Sequence, residues 1–230
     1  MTSNFRILSH DDFNDFRIVS KINQFSQKSK NTLKKKKIVL CVPNTLIHDF
    51  DKKLTSKFIS LGAQNCHHHE TYGPYTGSVN ALMLKKTGAD YIILGHSENR
   101  FAGDTNAIIK KKINSALKQK LNIIFCIGET KNEKKKGKTL TILKQQIKNS
   151  IGKNFNLNKI IIAYEPVWAI GKNKIPSTNE LIITIKFIKN ILKKTFKTKK
   201  IPKVLYGGSV KANNINLFFS IHDLDGFLIG

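Results

Sequence analysis

The strongest constraint in the sequence is a rhythm of eight short apolar runs, rich in Ile, Val and Leu, separated by longer amphipathic stretches. The runs fall at residues 5–8, 37–42, 61–66, 90–94, 122–126, 159–164, 203–206 and 225–229. Runs that stay apolar without polar alternation predict parallel strands buried on both faces, with helices covering them. The seven intervening stretches carry helical spacing. The first would set Phe13, Phe16, Val19, Ile22 and Phe25 on one buried face, and the sixth opens on Pro176, Ser177 and Thr178 with Glu180 following, the pattern of a capped helix start. About eight such units without a linker predict a closed (β/α)8 barrel, a single domain over residues 1–230, rather than an open sheet. None of the runs approaches the roughly 18 apolar residues that a membrane helix needs. The first ten residues show neither the basic segment nor the apolar stretch of a secretory signal, so the expectation is a cytoplasmic chain with no membrane partner.

Charge poses the next question. The chain holds 40 Lys plus Arg against 15 Asp plus Glu, a net +25, while 40% hydrophobic and 24% charged residues exclude a disordered class. Arginine occurs only at Arg6, Arg17 and Arg100, which leaves 37 lysines, and arginine is the residue whose planar fork reads bases and phosphates. The lysine-rich runs at residues 34–37, 134–138 and 197–200 lie between apolar runs, where lysine covers helix ends and loops. No specific nucleic-acid partner is expected. Cys41, Cys66 and Cys126 match neither a zinc framework nor a redox pair and read as buried thiols in a reducing compartment.

In a barrel of this kind, function sits where the strands end and the following loops begin. Immediately after the fourth run stands Gly95-His96-Ser97-Glu98-Asn99-Arg100; after the sixth, Glu165-Pro166-Val167-Trp168-Ala169-Ile170-Gly171; after the seventh, Gly207-Gly208-Ser209-Val210 preceded by Tyr206. Cys126-Ile127-Gly128-Glu129 ends the fifth, and Tyr75-Thr76-Gly77 lies in the long loop after the third.

Together these segments resemble the triosephosphate isomerase family, over about residue 38 to the last. The resemblance implies the TIM-barrel fold and an aldose–ketose isomerase, an intramolecular oxidoreductase of glycolysis and gluconeogenesis. Its substrates would be the triose phosphates D-glyceraldehyde 3-phosphate and dihydroxyacetone phosphate, interconverted through an enediolate with no cofactor and no metal. The resemblance, carried over residue by residue, implies that Glu165 is the general base and His96 the electrophile, a pairing for which this family is itself the standard example. Pro166, Val167, Trp168, Ala169, Ile170 and Gly171 form the implied closing lid, whose second hinge, Lys174-Ile175-Pro176, replaces a small-residue stretch. Gly171, Ser209 and Gly230 are the implied phosphate-binding positions; Glu98 and Cys126 are supporting residues. The loop around Thr76 implies a homodimer.

Two departures bear on activity. Family members carry an Asn-x-Lys segment at the end of the first strand, and none occurs before the second run here. Either residues 5–8 are the first strand, followed by Ser9-His10-Asp11-Asp12 with the wrong sign of charge, or Met1-Thr2-Ser3 is the tail of that segment and the first strand lies upstream. In both cases the cation is missing, Glu98 loses its family partner, and loss of one comparable donor typically costs about 100- to 1,000-fold in rate. At the other end the chain stops at Gly230, where family members continue with a second glycine, the rest of the phosphate turn and an eighth helix. An impaired isomerase is therefore the leading expectation. A catalytically inactive relative acting as a binding or structural protein is the competing class, followed by a polyanion-binding protein.

Weaker signals receive structural readings. His67-His68-His69 is expected to be a solvated loop rather than a metal site, since consecutive side chains do not easily converge on one ion. Gly137-Lys138-Thr139 lacks the upstream glycine and the preceding strand of a phosphate-binding loop. Cys126 is expected to be a packed thiol, not a nucleophile.

Overall fold

The computed structural model describes residues 5–9, 17–171 and 174–230. Eight parallel strands close into a barrel in sequence order: β1 (Phe5–Ser9), β2 (Lys37–Val42), β3 (Ile59–Ala63), β4 (Tyr91–Leu94), β5 (Asn122–Ile127), β6 (Ile160–Tyr164), β7 (Val204–Tyr206) and β8 (Gly226–Ile229). The ring closes at β1, which pairs Phe5 with Lys37 of β2 on one side and with Gly226 of β8 on the other. In this structure residues 5–9 thus occupy the position of the first strand. The acidic stretch beginning at His10, together with Phe13 and Phe16, lies outside the described residues.

Helices cover the barrel between strands: α1 (Arg17–Lys28) and α2 (Lys30–Leu33), α3 (Ile47–Lys53), α4 (Ala81–Lys86), α5 (Ser97–Phe101) and α6 (Asn106–Lys118), α7 (Lys131–Lys135) and α8 (Thr139–Ser150), and α9 (Thr178–Phe196). The predicted start of α9 is a capping box, with Ser177 and Glu180 each accepting from the other's backbone N–H. The lysine-rich runs do fall at helix ends, Lys134 and Lys135 closing α7 and Lys197 capping α9.

Three expectations need correction. β3 begins at Ile59 and ends at Ala63, two to three residues before the predicted span, because Ile59 pairs with Ile38 while Asn65 and Cys66 have already left the ladder into a side-chain-capped turn. Phe25 is exposed: the inward stripe of α1 runs through Val19, Ile22 and Ser26, and Ser26, bonded to Ser56, takes the slot that would have held an apolar side chain. The seventh crossover carries a 3₁₀ turn, Ile215–Phe218, in place of an α-helix. Its asparagines compete for the backbone: Asn214 accepts from Lys211 N–H and donates to Ser209 O.

Alternation along the strands divides the core into two layers. Val39, Cys41, Tyr91, Ile93, Ile124, Cys126, Ile161, Ala163, Leu205 and Leu228 form the inner cluster. Leu40, Ile92, Leu94, Phe125, Ile162 and Phe227 belong to the outer layer, under the helices.

Candidate active site

The same alternation decides what faces the barrel mouth. Glu165 stands one residue beyond β6 and keeps the inward parity of Ile161 and Ala163, so its carboxylate enters the barrel axis beside Cys126 of β5. His96 follows β4 with the wrong parity, since Leu94 points outward. Gly95 corrects this. Its φ of +77° turns the chain at the strand end, a conformation that side-chain-bearing residues rarely adopt, and His96 arrives at the start of α5 with Nε2 3.5 Å from Glu165 Oε1. On its other side, His96 Nδ1 lies 3.6 Å from Glu98 Oε2.

Glu165 is 4% exposed, and its Oε2 is a buried oxygen without a hydrogen-bond partner. A buried acceptor left open is costly unless something completes it, so the geometry presents a carboxylate oxygen to an incoming C–H or O–H. Burial pushes the Glu165 carboxyl above the ordinary carboxylate range, while His96, Cys126 and Arg100 pull it back. The Cys126 thiol is driven well above its usual value by burial and by Glu165, which keeps it protonated and makes it packing rather than a nucleophile.

Two glycines give the carboxylate room. A Cβ on Gly128 would fall 1.8 Å from Glu165 O, and a Cβ on Gly207 would fall 2.7 Å from Glu165 Cγ. Arg100 ties the rim together: its guanidinium donates to Gly95 O at 2.7 Å, to Asn106 Oδ1 at 2.8 Å and to Cys126 O at 3.2 Å. The sequence motifs give no role to Gly207 or to Arg100. A readable signal for Arg100 is an arginine placed after β4 in a chain that otherwise uses lysine, because only a planar fork spans three acceptors.

The segment after Glu165 is a short turn pinned at both ends. Glu129, 1% exposed, accepts from Trp168 Nε1 at 2.7 Å and from Tyr164 OH at 3.2 Å, and its backbone O accepts from Val167 N–H at 3.0 Å. Burial raises the Glu129 carboxyl, and the Trp168 and Tyr164 donors offset part of that rise. The ammonium of Lys134 lies over the indole face, 3.6 Å from the ring centre. Across the mouth, Ser209 Oγ donates to Ala169 O at 2.6 Å, joining the turn to the loop after β7.

The structure therefore brings His96, Glu165, Glu98 and Cys126 together, and links Ser209 to Ala169. Pro166 and Ala169 are buried, Val167, Trp168 and Ile170 half-buried, and Gly171 exposed with φ +64°. Gly171 and Gly230 are exposed and, among the described residues, share no hydrogen bond with the His96–Glu165 pair.

The family model described as triosephosphate isomerase matches residues 13–230. The chain belongs to the triosephosphate isomerase family. It is 40% identical over 214 residues to the triosephosphate isomerase of Dictyoglomus thermophilum, covering 91% of this chain and 85% of that one. To that of Alkaliphilus metalliredigens it is 38% identical over 198 residues, 84% and 79% of the two chains. The crystal structure of triosephosphate isomerase from Bartonella henselae superposes with a TM-score of 0.87 at 32% identity, covering 99% of this chain and 92% of that one. The match to the triosephosphate isomerase family begins after β1, so the strand that closes the barrel lies outside it.

Proposed function

We propose that the chain interconverts D-glyceraldehyde 3-phosphate and dihydroxyacetone phosphate through an enediolate. The observation that carries this reading is the pair at the barrel mouth: an inward carboxylate with one unpartnered buried oxygen, Glu165, 3.5 Å from an imidazole nitrogen, His96 Nε2. Moving a proton between adjacent carbons needs a base above the C–H and a donor in line with the carbonyl oxygen. Glu165 would take the proton and return it to the neighbouring carbon; His96 would hold the oxygen as negative charge develops. Desolvation makes Glu165 a stronger base than a solvated carboxylate. The turn from Pro166 to Gly171 would close over the intermediate and keep water out, with Gly171, Ser209 and Gly230 around the phosphate.

By the family resemblance, a chain without the Asn-x-Lys cation would turn over about 100- to 1,000-fold more slowly than members that carry it. We further propose a homodimer through the loop around Thr76. Support comes from exposed apolar side chains, Tyr72 at 57% in that loop and Phe101 at 97% at the end of α5, and from the Asn65–Asn99 bond of 2.7 Å that ties the start of the loop to α5. Three free, buried cysteines support action in a reducing cytoplasm. A coupled assay with glyceraldehyde 3-phosphate tests the function. Turnover lowered about 100- to 10,000-fold by Glu165→Gln is expected, and turnover absent from the native chain would favour the reading as an inactive binding relative.

A further inference from the structure

The triplet His67-His68-His69 contradicts the expectation that consecutive side chains stay apart. One ligand nitrogen from each of the three rings lies within 4.8 Å of the others, which makes them the only such cluster of three potential metal ligands among the described residues. Backbone geometry explains the convergence. His67 N–H donates to Val79 O at 2.7 Å and bridges to Asn80, holding the first histidine flat against the end of the loop. Asn80 Nδ2 reaches back to Thr71 O at 2.9 Å, and Glu70 is fastened to α6 by Asn114 and Lys118. The chain between these anchors folds back on itself, and the rings gather with centroids 4.3–4.8 Å apart, His67 and His69 stacked and His68 tilted against both, with His69 resting on Tyr75.

Within this cluster His67 Nδ1 is buried and has no hydrogen-bond partner. An orphaned imidazole nitrogen beside two more imidazoles is a donor set waiting for an electrophile, and the loop that carries it is already ordered by main-chain and side-chain bonds. We propose that His67, His68 and His69 bind one late first-row divalent metal ion, with zinc as the representative. Three imidazoles suit zinc, copper or nickel, whereas magnesium and calcium demand oxygen ligands. Tetrahedral zinc with bonds of about 2.0–2.1 Å needs nitrogens about 3.3 Å apart, so the 4.8 Å spread has to close by roughly 1.5 Å, within reach of side-chain rotation in His68 and His69. A fourth position stays open for water. Lys112 adds a positive charge near the cluster. The charge of Lys112 is offset by Asp104, 2.7 Å away.

The test is titration of the untagged chain with Zn2+, Co2+ and Mg2+, read by calorimetry and, for Co2+, by the visible absorption of a tetrahedral ion. Saturable binding of one Zn2+ per chain, a tetrahedral Co2+ spectrum and no Mg2+ binding are expected. The His68→Asn/His69→Asn double variant, whose substitutions lie on a loop and leave His67 in place, should lose at least about tenfold in affinity, while His222→Asn should not change it. Circular dichroism establishes that the double variant is folded. Absence of saturable Zn2+ binding, or binding unchanged in the folded double variant, overturns the proposal. Isomerase activity plays no part in the readout, so the result stands apart from the catalytic reading.

Discussion

Gly207 and Glu165 are in such close approach that a single methyl group on the glycine would stand 2.7 Å from Glu165 Cγ and 3.1 Å from Oε1. The glycine belongs to the loop after β7 and the carboxylate to the end of β6, and the bond from Gly207 N–H to Tyr164 O, 2.9 Å, fixes their separation. Gly207→Ala is therefore expected to push the carboxylate off its position by overpacking, at about 1–3 kcal/mol. The fold survives and turnover falls by about tenfold or more, since small misplacements at the reacting centre are expensive. Steady-state kinetics beside a thermal melt separates the two effects. A full-rate variant would mean that the carboxylate is not held by this contact.

Arg100 gives a prediction of a different kind. Arg100→Lys keeps the charge but cannot serve Gly95 O, Cys126 O and Asn106 together. Leaving one of these acceptors unsatisfied costs about 1–3 kcal/mol, so calorimetry should show a clear fall in melting temperature. An unchanged melting temperature would show that the fork is dispensable.

Burial raises the carboxyls of both Glu165 and Glu129. A raised folded-state pKa means that each group favours the fold while protonated. That contribution is complete below the unfolded value of about 4.3 and is lost as pH rises through the folded pKa. Glu165→Gln should then melt at a higher temperature than the native chain at pH 7, with the gap narrowing as pH falls towards 4. Its turnover should drop by about 100- to 10,000-fold through loss of the base. A variant less stable than the native chain at pH 7 would contradict the sign.

Trp168 is the only tryptophan, and its Nε1–H meets a carboxylate at 2.7 Å. Trp168→Phe keeps an aromatic ring, though a smaller one, and removes the donor. A hydrogen bond to a charged group is worth about 1.5–3 kcal/mol, so kcat should fall by about tenfold as the turn loses its anchor. Glu129→Gln retains an acceptor and should fall less. Equal losses in the two variants would argue against the hydrogen bond as the cause.

Much of the fold is legible in the sequence, and the boundary of what is legible has physical causes. Apolar runs buried on both faces mark strands wherever they stand, so the runs locate all the strands but β3 to within a residue or two; β3 slips because Lys57, Phe58, Ile59 and Ser60 mix polar and apolar residues. Period alone puts Phe25 inside, and only the Ser26–Ser56 bond shows why it is not. His96 and Glu165 are readable through their motifs. Gly207, Arg100 and Glu129 act across segments far apart in sequence, on distances that no spacing rule contains. The convergence of the histidine triplet is hidden for a related reason: side-chain directions along an extended chain diverge, and nothing local in the sequence says that this loop folds back.

β1 has a wider consequence. A parallel ladder is made of main-chain groups, and Phe5–Ser9 fills its place between β2 and β8 on those groups alone. Closing the cylinder therefore asks only for main-chain groups in register, and leaves the side chains at its mouth to the loops that follow the strands.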